Sequence, residues 1–257
     1  MLKTENEILK IKKSKIYNEV SSIYNYLMKN VDYKFWSDYL YSITKDFVRD
    51  NPKVLELAAG NCNFAKYFIK KYPNILLTDI SFRMLQNKNL KKNRKVCCSM
   101  LNLPFNEKFD LIYSTFDSVN YILQTEDLQN FFIQINSYLT NDGVFAFDVS
   151  LEKNSFNHVR NSHKKSFYNG IRFNQNSEYD SKTRIHKNCF EIIRNEKIFT
   201  EIHKQKIYPF ETYFEVIDSS GLYVVYCYEA FTFKNGSNDS DRVQFILKKN
   251  KQHANYQ

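Results

Sequence analysis

Two acids and the small residues between them carry most of the chemical information in this chain. Glu56 lies near the end of the apolar run Val54-Leu55-Glu56-Leu57, just ahead of Ala58-Ala59-Gly60-Asn61-Cys62. Asp79 ends a second run, Leu76-Leu77-Thr78-Asp79. In an α/β protein this order builds a pocket for an adenosine-containing cofactor. The first acid meets a polar tail, small residues let the backbone come close, and an acid about twenty residues on takes ribose hydroxyls. A nicotinamide site is the nearest competitor, but it uses G-x-G-x-x-G with no acid inside the loop. Here the loop holds one glycine and begins at Glu56.

Other candidates lie downstream. Asp117, Asn120 and Tyr121 follow the apolar run 109–114, at the carboxyl edge of the sheet where open α/β folds place ligands. Asp117-Ser118 can also be read as a helix cap. Among His158, His163, His186, His203 and His253, His203 is the best candidate base, since it shortly precedes Tyr208 and the last helix. A half-exposed strand histidine or a substrate hydrogen-bonder is the plainer alternative. Cys62 stands near a helix N-terminus, which lowers a thiol pKa, yet a small packing residue suits it better.

The elements that must hold these groups follow from periodicity. Residues 1–50 read as helical, with stripes Ile16, Val20, Ile23, Leu27 and Trp36, Tyr39, Leu40, Ile43, until Asn51-Pro52 breaks the pattern. Strands are expected at 53–57, 75–79, 95–98, 109–114 and 144–149. Helices are expected after Cys62 (Ala65, Phe68, Ile69, Tyr72 inward), after a Ser81 cap, and from Thr125 (Leu128, Phe132, Ile135, Leu139 inward). Asn141-Asp142-Gly143 reads as a turn and 151–165 as a loop. Residues 166–208 read as two to four antiparallel strands whose inward face cannot be assigned. Pro209 opens a helix closed by Gly221, and strands at 222–233 and 242–248 end the fold. The alternation predicts an α/β fold: a Rossmann-like, seven-stranded, mostly parallel sheet with helices on both faces and an antiparallel β lid insertion. The expected divisions are a helical cover at 1–50, a cofactor-binding core at 51–150, a lid at 151–208 and a return to the core at 209–250.

Composition bounds the rest. The chain has 257 residues, 43% of them hydrophobic, enough to build a core. The five cysteines show no C-x-x-C or framework spacing and read as reduced thiols. There is no signal h-region and no apolar run of membrane-spanning length, so a cytoplasmic protein with no membrane partner is expected. The net charge of +9 reads as a solvated lysine-rich face. Arg83, Lys88, Lys91, Lys92, Arg94 and Lys95, expected on the helix after Asp79, could bind RNA phosphates, but no RNA module or zinc motif accompanies them.

These blocks resemble class I S-adenosylmethionine-dependent methyltransferases. The likeness is carried by Glu56 to Gly60, Asp79-Ile80-Ser81 with Met84, Leu103-Pro104-Phe105, Phe109 to Ile112, Phe116 to Tyr121 and Asp142 to Asp148. Tyr17-Asn18, Ile23-Tyr24-Asn25, Trp36 and the later His203 and Tyr208 resemble the family's small-molecule branch. The resemblance implies S-adenosyl-L-methionine as cofactor. Glu56 would hold its methionine amino group, with Ala58, Gly60 and Asn61 as close backbone. Asp79 would take the ribose, Ile80 and Met84 the adenine face, and Ser99, Met100 and Leu101 its edge. Phe116 and Asp117 would lie beneath the sulfonium, and Tyr17 would close the methionine end. It further implies catalytic roles for His203 and Asp117, and a small-molecule methyl acceptor touching Tyr24, Trp36, Asn120, Tyr121 and Tyr208. No metal or nucleic acid is implied, and a monomer or homodimer is expected. The chain departs from the family at Ala58 and Cys62, where glycine is usual, and at Ser99, where an acid is common. A relative that binds cofactor weakly or uses it for non-methyl chemistry, and an RNA or protein methyltransferase, stay open as alternatives.

Overall fold

The computed structural model describes residues 10–86, 90, 94–160 and 162–250. The first half runs β1 (Lys10–Lys13), α1 (Tyr24–Leu27), α2 (Tyr33–Thr44), β2 (Val54–Leu57), α3 (Ala65–Phe68), β3 (Ile75–Asp79), α4 (Phe82–Leu85), β4 (Arg94–Cys97) and β5 (Phe109–Ser114). There follow α5 (Thr125–Tyr138), β6 (Leu139–Ser150), α6 (Glu152–Val159), β7 (His163–Tyr168), β8 (Ile171–Asp180), β9 (Ile185–Arg194) and β10 (Lys197–Lys206). The chain ends with α7 (Phe210–Asp218), β11 (Leu222–Glu229) and β12 (Arg242–Lys249).

The main sheet has seven strands in the order β11-β12-β6-β5-β2-β3-β4. β6, β5, β2, β3 and β4 are parallel, and β12 joins β6 antiparallel. Helices cover both faces, so the central strands are apolar throughout rather than alternating. Strand parity sorts their side chains between two cores. Leu55, Ile112, Phe145, Phe147 and Phe245 pack with Leu128, Phe132 and Ile135 of α5 and Tyr213 of α7. Val54, Leu77, Leu111, Tyr113 and Ala146 pack with Leu40 and Ile43 of α2 and Ala65 and Phe68 of α3.

A second sheet has the order β1-β10-β9-β8-β7, all pairs antiparallel except β1 with β10. Val20, Ile23, Phe173, Phe190 and Ile192 form its apolar patch.

Several local expectations need correction. The segment before α2 is not one helix. Among the described residues it holds a strand, a 3-10 turn at Val20–Ser22 and the single turn of α1, because Val20 and Ile23 pack against the second sheet instead of along a helical stripe. Residues 152–159 are helical rather than loop. Asn141-Asp142-Gly143 continues β6 with an irregular pairing to β5. Arg94 and Lys95 lie on β4, where Arg94 pairs with Glu107 at 3.0 Å and the Lys95 ammonium bonds the Leu85 carbonyl at 3.0 Å. Lys88, Lys91 and Lys92 fall outside the described residues.

Candidate active site

The carboxyl tips of β2, β3 and β5 open on a cavity of about 220 Å³. Its floor is the loop 58–62, which turns sharply because Ala58, Gly60 and Cys62 all take positive φ (51°, 55° and 59°). For a non-glycine residue this conformation costs of order 1–2 kcal/mol. Ala58 and Cys62 hold it because the loop is pinned: the Ala59 amide donates to the Thr78 carbonyl at 2.7 Å and the Cys62 amide to the Ala59 carbonyl at 2.8 Å. The Cys62 side chain does not enter the cavity. It is fully buried among Phe64, Ala65 and their neighbours, and burial pushes the thiol up to about 12. Cys62 is therefore expected to resist iodoacetamide in the folded protein while exposed Cys97 reacts. Mass spectrometry of the alkylated chain checks this, and equal labelling of both would contradict it.

A Cβ at Gly60 would lie 3.3 Å from the Met84 thioether methyl, the end of a flexible side chain that could shift, so glycine is favoured there mainly by its positive φ. The Gly60 amide donates to one oxygen of Asp79 at 2.8 Å and the Ser81 amide to the other at 2.7 Å. Ser81 also caps α4, its hydroxyl accepting from the Met84 amide at 3.4 Å. Glu56 is 1% exposed and accepts from the Tyr113 hydroxyl at 2.8 Å. Burial pushes its carboxyl up to about 8, with the Tyr113 bond opposing and the charge of Asp79 adding to the rise. Burial also raises Asp79, against the pull of the Ser81 and Gly60 amides. Two carboxyls thus sit desolvated and, among the described residues, without an ion-pair partner, while Ile80 (58% exposed) and Leu101 (43%) flank an open apolar slot beside Met84. An ammonium for Glu56, hydroxyls for Asp79 and a flat ring for the slot would satisfy each feature.

All twelve residues expected at the cofactor line this cavity: Tyr17, Glu56, Ala58, Gly60, Asn61, Asp79, Ile80, Met84, Ser99, Met100, Leu101 and Phe116. Tyr33, Asn63, Cys98 and Thr115 also line it and were not anticipated. Asn63 was within reach of sequence reasoning, because it follows the loop at the start of the helix.

A larger chamber, about 750 Å³, lies between the main sheet and the second sheet. Tyr17, Tyr24, Phe116 and Tyr121 belong to the walls of both cavities. Along this shared wall runs a chain of polar contacts. The Tyr17 and Tyr121 hydroxyls are 2.7 Å apart, Tyr121 is 3.1 Å from His203 Nδ1, and His203 Nε2 is 3.3 Å from Glu201 Oε2. The other Glu201 oxygen accepts the Val20 amide at 3.1 Å and the Glu19 amide. A carboxylate only accepts, so Nε2 carries the ring hydrogen and Nδ1 is left as the basic nitrogen facing Tyr121. His203 and Glu201 are 3% and 1% exposed, whereas Ile202 between them is 45% exposed. Glu201 and His203 of β10 thus face inward. Glu201 was missed, although Glu-x-His on a strand places both on one face.

The remaining expected residues separate. Trp36 lines the larger chamber and stacks on Phe116 with ring centroids 4.2 Å apart. Asp117 lines the larger chamber, not the smaller one, and is not a free base. Arg242 Nη2 donates to it at 3.0 Å and Gln205 Nε2 at 2.8 Å. Nor does it cap a helix with its side chain. Asn120 and Tyr208 touch neither cavity. Asn120 is fully buried and ties together the Ser150 amide and the Ser150 and Lys206 carbonyls, and the Tyr208 hydroxyl donates to the Ile122 carbonyl at 3.1 Å. Both hold β6, β10 and the turn after β5 in place, so their expected substrate contact is corrected to a scaffold role.

An open α/β sheet with acids at adjacent strand tips and a turn of positive-φ residues between them defines a nucleoside-binding enzyme fold. Residues 55–147 match a family model described as a methyltransferase domain. A candidate methyltransferase of Geobacillus sp. (strain WCH70) is 24% identical, the match spanning 91% of this chain and 99% of the relative. Among solved structures, an S-adenosylmethionine-dependent methyltransferase from Clostridium acetobutylicum superposes with a TM-score of 0.75 at 25% identity, covering 90% of this chain and 98% of that one. The sugar N-methyltransferase KedS8 from Streptoalloteichus shares the fold (TM-score 0.71, 14% identity, coverage 89% and 93%). Residues 55–147 thus carry a methyltransferase domain, and the chain shares the fold of class I S-adenosylmethionine-dependent methyltransferases.

Proposed function

We propose that this enzyme methylates a nitrogen, oxygen or carbon of a small molecule held in the larger chamber, with residues 151–208 acting as the lid. The observation that carries this reading is the shared wall: Tyr17, Tyr24, Phe116 and Tyr121 line both the cofactor cavity and the chamber. A chamber of about 750 Å³ is the size of a metabolite site, and strands of the second sheet form one of its walls. The likeness to a sugar N-methyltransferase points the same way.

In this reading Glu56 holds the cofactor's amino group and Asp79 the ribose, with Ile80, Met84 and Leu101 against the adenine. S-adenosylmethionine, when bound, supplies an electrophilic methyl carbon on a sulfonium. The protein's part is to align the acceptor, exclude water and take a proton. His203 Nδ1 takes the proton that an amine or hydroxyl acceptor sheds, through the Tyr121 hydroxyl, and Glu201 steadies the ring that gains it.

Glu56 gives this reading a proton signature. Its folded-state pKa lies above the ordinary carboxyl value, so the stability it contributes is present at low pH and falls as pH rises through about 8. An ammonium beside it favours the charged form. Binding of S-adenosylhomocysteine near pH 7 is therefore expected to expel a proton, and affinity to rise with pH toward 8. Calorimetry in buffers of different ionisation enthalpy measures this, and Glu56→Gln should abolish it. Binding with no proton release would refute the assignment of Glu56.

The acceptor class is tested by supplying the enzyme with methyl-labelled cofactor and a fractionated cell extract. Label is expected in the low-mass fraction. Label confined to RNA or protein would overturn the small-molecule reading.

A further inference from the structure

The larger chamber is chemically lopsided. Its lining includes Lys29, Lys164, Lys165 and Arg242 against a single carboxylate, Asp117. That carboxylate is already engaged by Arg242 and Gln205, and Arg242 is also held by Asp148 behind it. Lys29 lies over the Tyr26 ring, 4.1 Å from its centroid. Lys164 is different. It pairs in register with Gln175, another lining residue, and so shares its inward face; among the described residues it has no ion-pair partner.

Beside it are two histidines. The His158 and His186 rings are 6.0 Å apart, both line the chamber, and the charge of Lys164 acts on His158. His186 is 4% exposed, and its Nδ1 is buried with no hydrogen-bond partner. An unmet polar atom in a buried wall costs roughly 1–3 kcal/mol. Burial holds both rings neutral; Asp117 and Asp241 pull His158 the other way, and Asp241 is itself taken up by Asn157 at 3.2 Å and Lys153 at 3.8 Å. An ammonium placed here would meet Lys164 and find no free carboxylate. An oxyanion would meet Lys164 and two imidazoles able to become donors.

We propose that the acceptor carries an oxyanion, a carboxylate or a phosphate, seated where Lys164, His158 and His186 converge in the larger chamber. This rests on the reading that the chamber holds a small acceptor, and it names that acceptor's chemical class.

The test uses full-length enzyme saturated with S-adenosylhomocysteine, titrated separately with inorganic phosphate, acetate and methylammonium. The His158 and His186 ring signals are followed by NMR. At least one anion is expected to bind saturably and move both rings, and methylammonium to move neither. Lys164→Gln, an exposed edge-strand substitution, should weaken the anion about tenfold, and His186→Asn should weaken it while leaving the fold intact. Tighter phosphate binding identifies a phosphorylated acceptor, and tighter acetate binding a carboxylic acid. No saturable anion binding, unchanged affinity in Lys164→Gln, or a preference for methylammonium overturns the proposal. Calorimetry of S-adenosylhomocysteine on the same samples separates the failures. Loss of that binding undercuts the site itself, whereas normal binding with an indifferent chamber sinks only the oxyanion.

Discussion

Replacing Asp79 with alanine is expected to weaken S-adenosylhomocysteine by at least tenfold, and by roughly a hundredfold if bonds to both ribose hydroxyls are lost, since hydrogen bonds to a charged group contribute about 1.5–3 kcal/mol each. Asp79 is 7% exposed and already turned by two backbone amides, Gly60 and Ser81. Its oxygens are therefore fixed before any ligand arrives, which is what makes the loss large. Asp79→Asn keeps an acceptor and should fall between wild type and alanine. Circular dichroism melts guard against a loosened loop. Because burial penalises the charged form of this group, removing the charge need not destabilise the fold. Titration calorimetry reads the result, and unchanged affinity in a folded Asp79→Ala protein would remove the ribose assignment.

The second large effect is on turnover. His203→Ala should lower the methylation rate by about 10²–10⁴, the usual yield of a positioned general base, while S-adenosylhomocysteine affinity changes little. His203 lines the chamber and not the cofactor cavity, which is why the two quantities should separate. Glu201→Gln should reduce turnover with a smaller change in KM, because it keeps the shape and loses the charge that steadies the ring. The assay is release of S-adenosylhomocysteine with the active low-mass fraction. If His203→Ala loosens the cofactor as much as it slows turnover, the residue is structural. Tyr17, whose ring lies 4.6 Å from that of His203 in the shared wall, is the route by which that would happen.

The sequence made some parts of this molecule readable and concealed others for identifiable reasons. The main sheet was legible because strands covered on both faces are apolar runs, and Glu56 and Asp79 interrupt those runs at their tips. The second sheet resisted reading because its inward face is mixed, with Phe173 and Phe190 set beside polar residues. His186, Asn188, His203 and Gln205 line a chamber, and Glu201 is buried beside His203 while Ile202 lies outside, so the hydrophobic alternation that reveals a strand's buried side is broken along β10. Pairing of Lys10–Lys13 with β10 joins segments far apart in sequence, and no local pattern announces such a contact. Asn120 and Tyr208 were misassigned because a polar residue near a strand's carboxyl end can serve the backbone as well as a ligand. Here Asn120 satisfies buried amide and carbonyl groups that have no water to turn to. Cys62 shows that a residue can occupy glycine's backbone conformation while its side chain turns into the core.

The most direct measurement is a crystal structure of the enzyme with S-adenosylhomocysteine. The amino end is expected at Glu56, the ribose hydroxyls at Asp79 and the adenine between Ile80, Met84 and Leu101, with the sulfur facing the shared wall of Tyr17, Phe116 and Tyr121. A nucleoside bound elsewhere, or a crevice left empty at saturating ligand, would contradict the account.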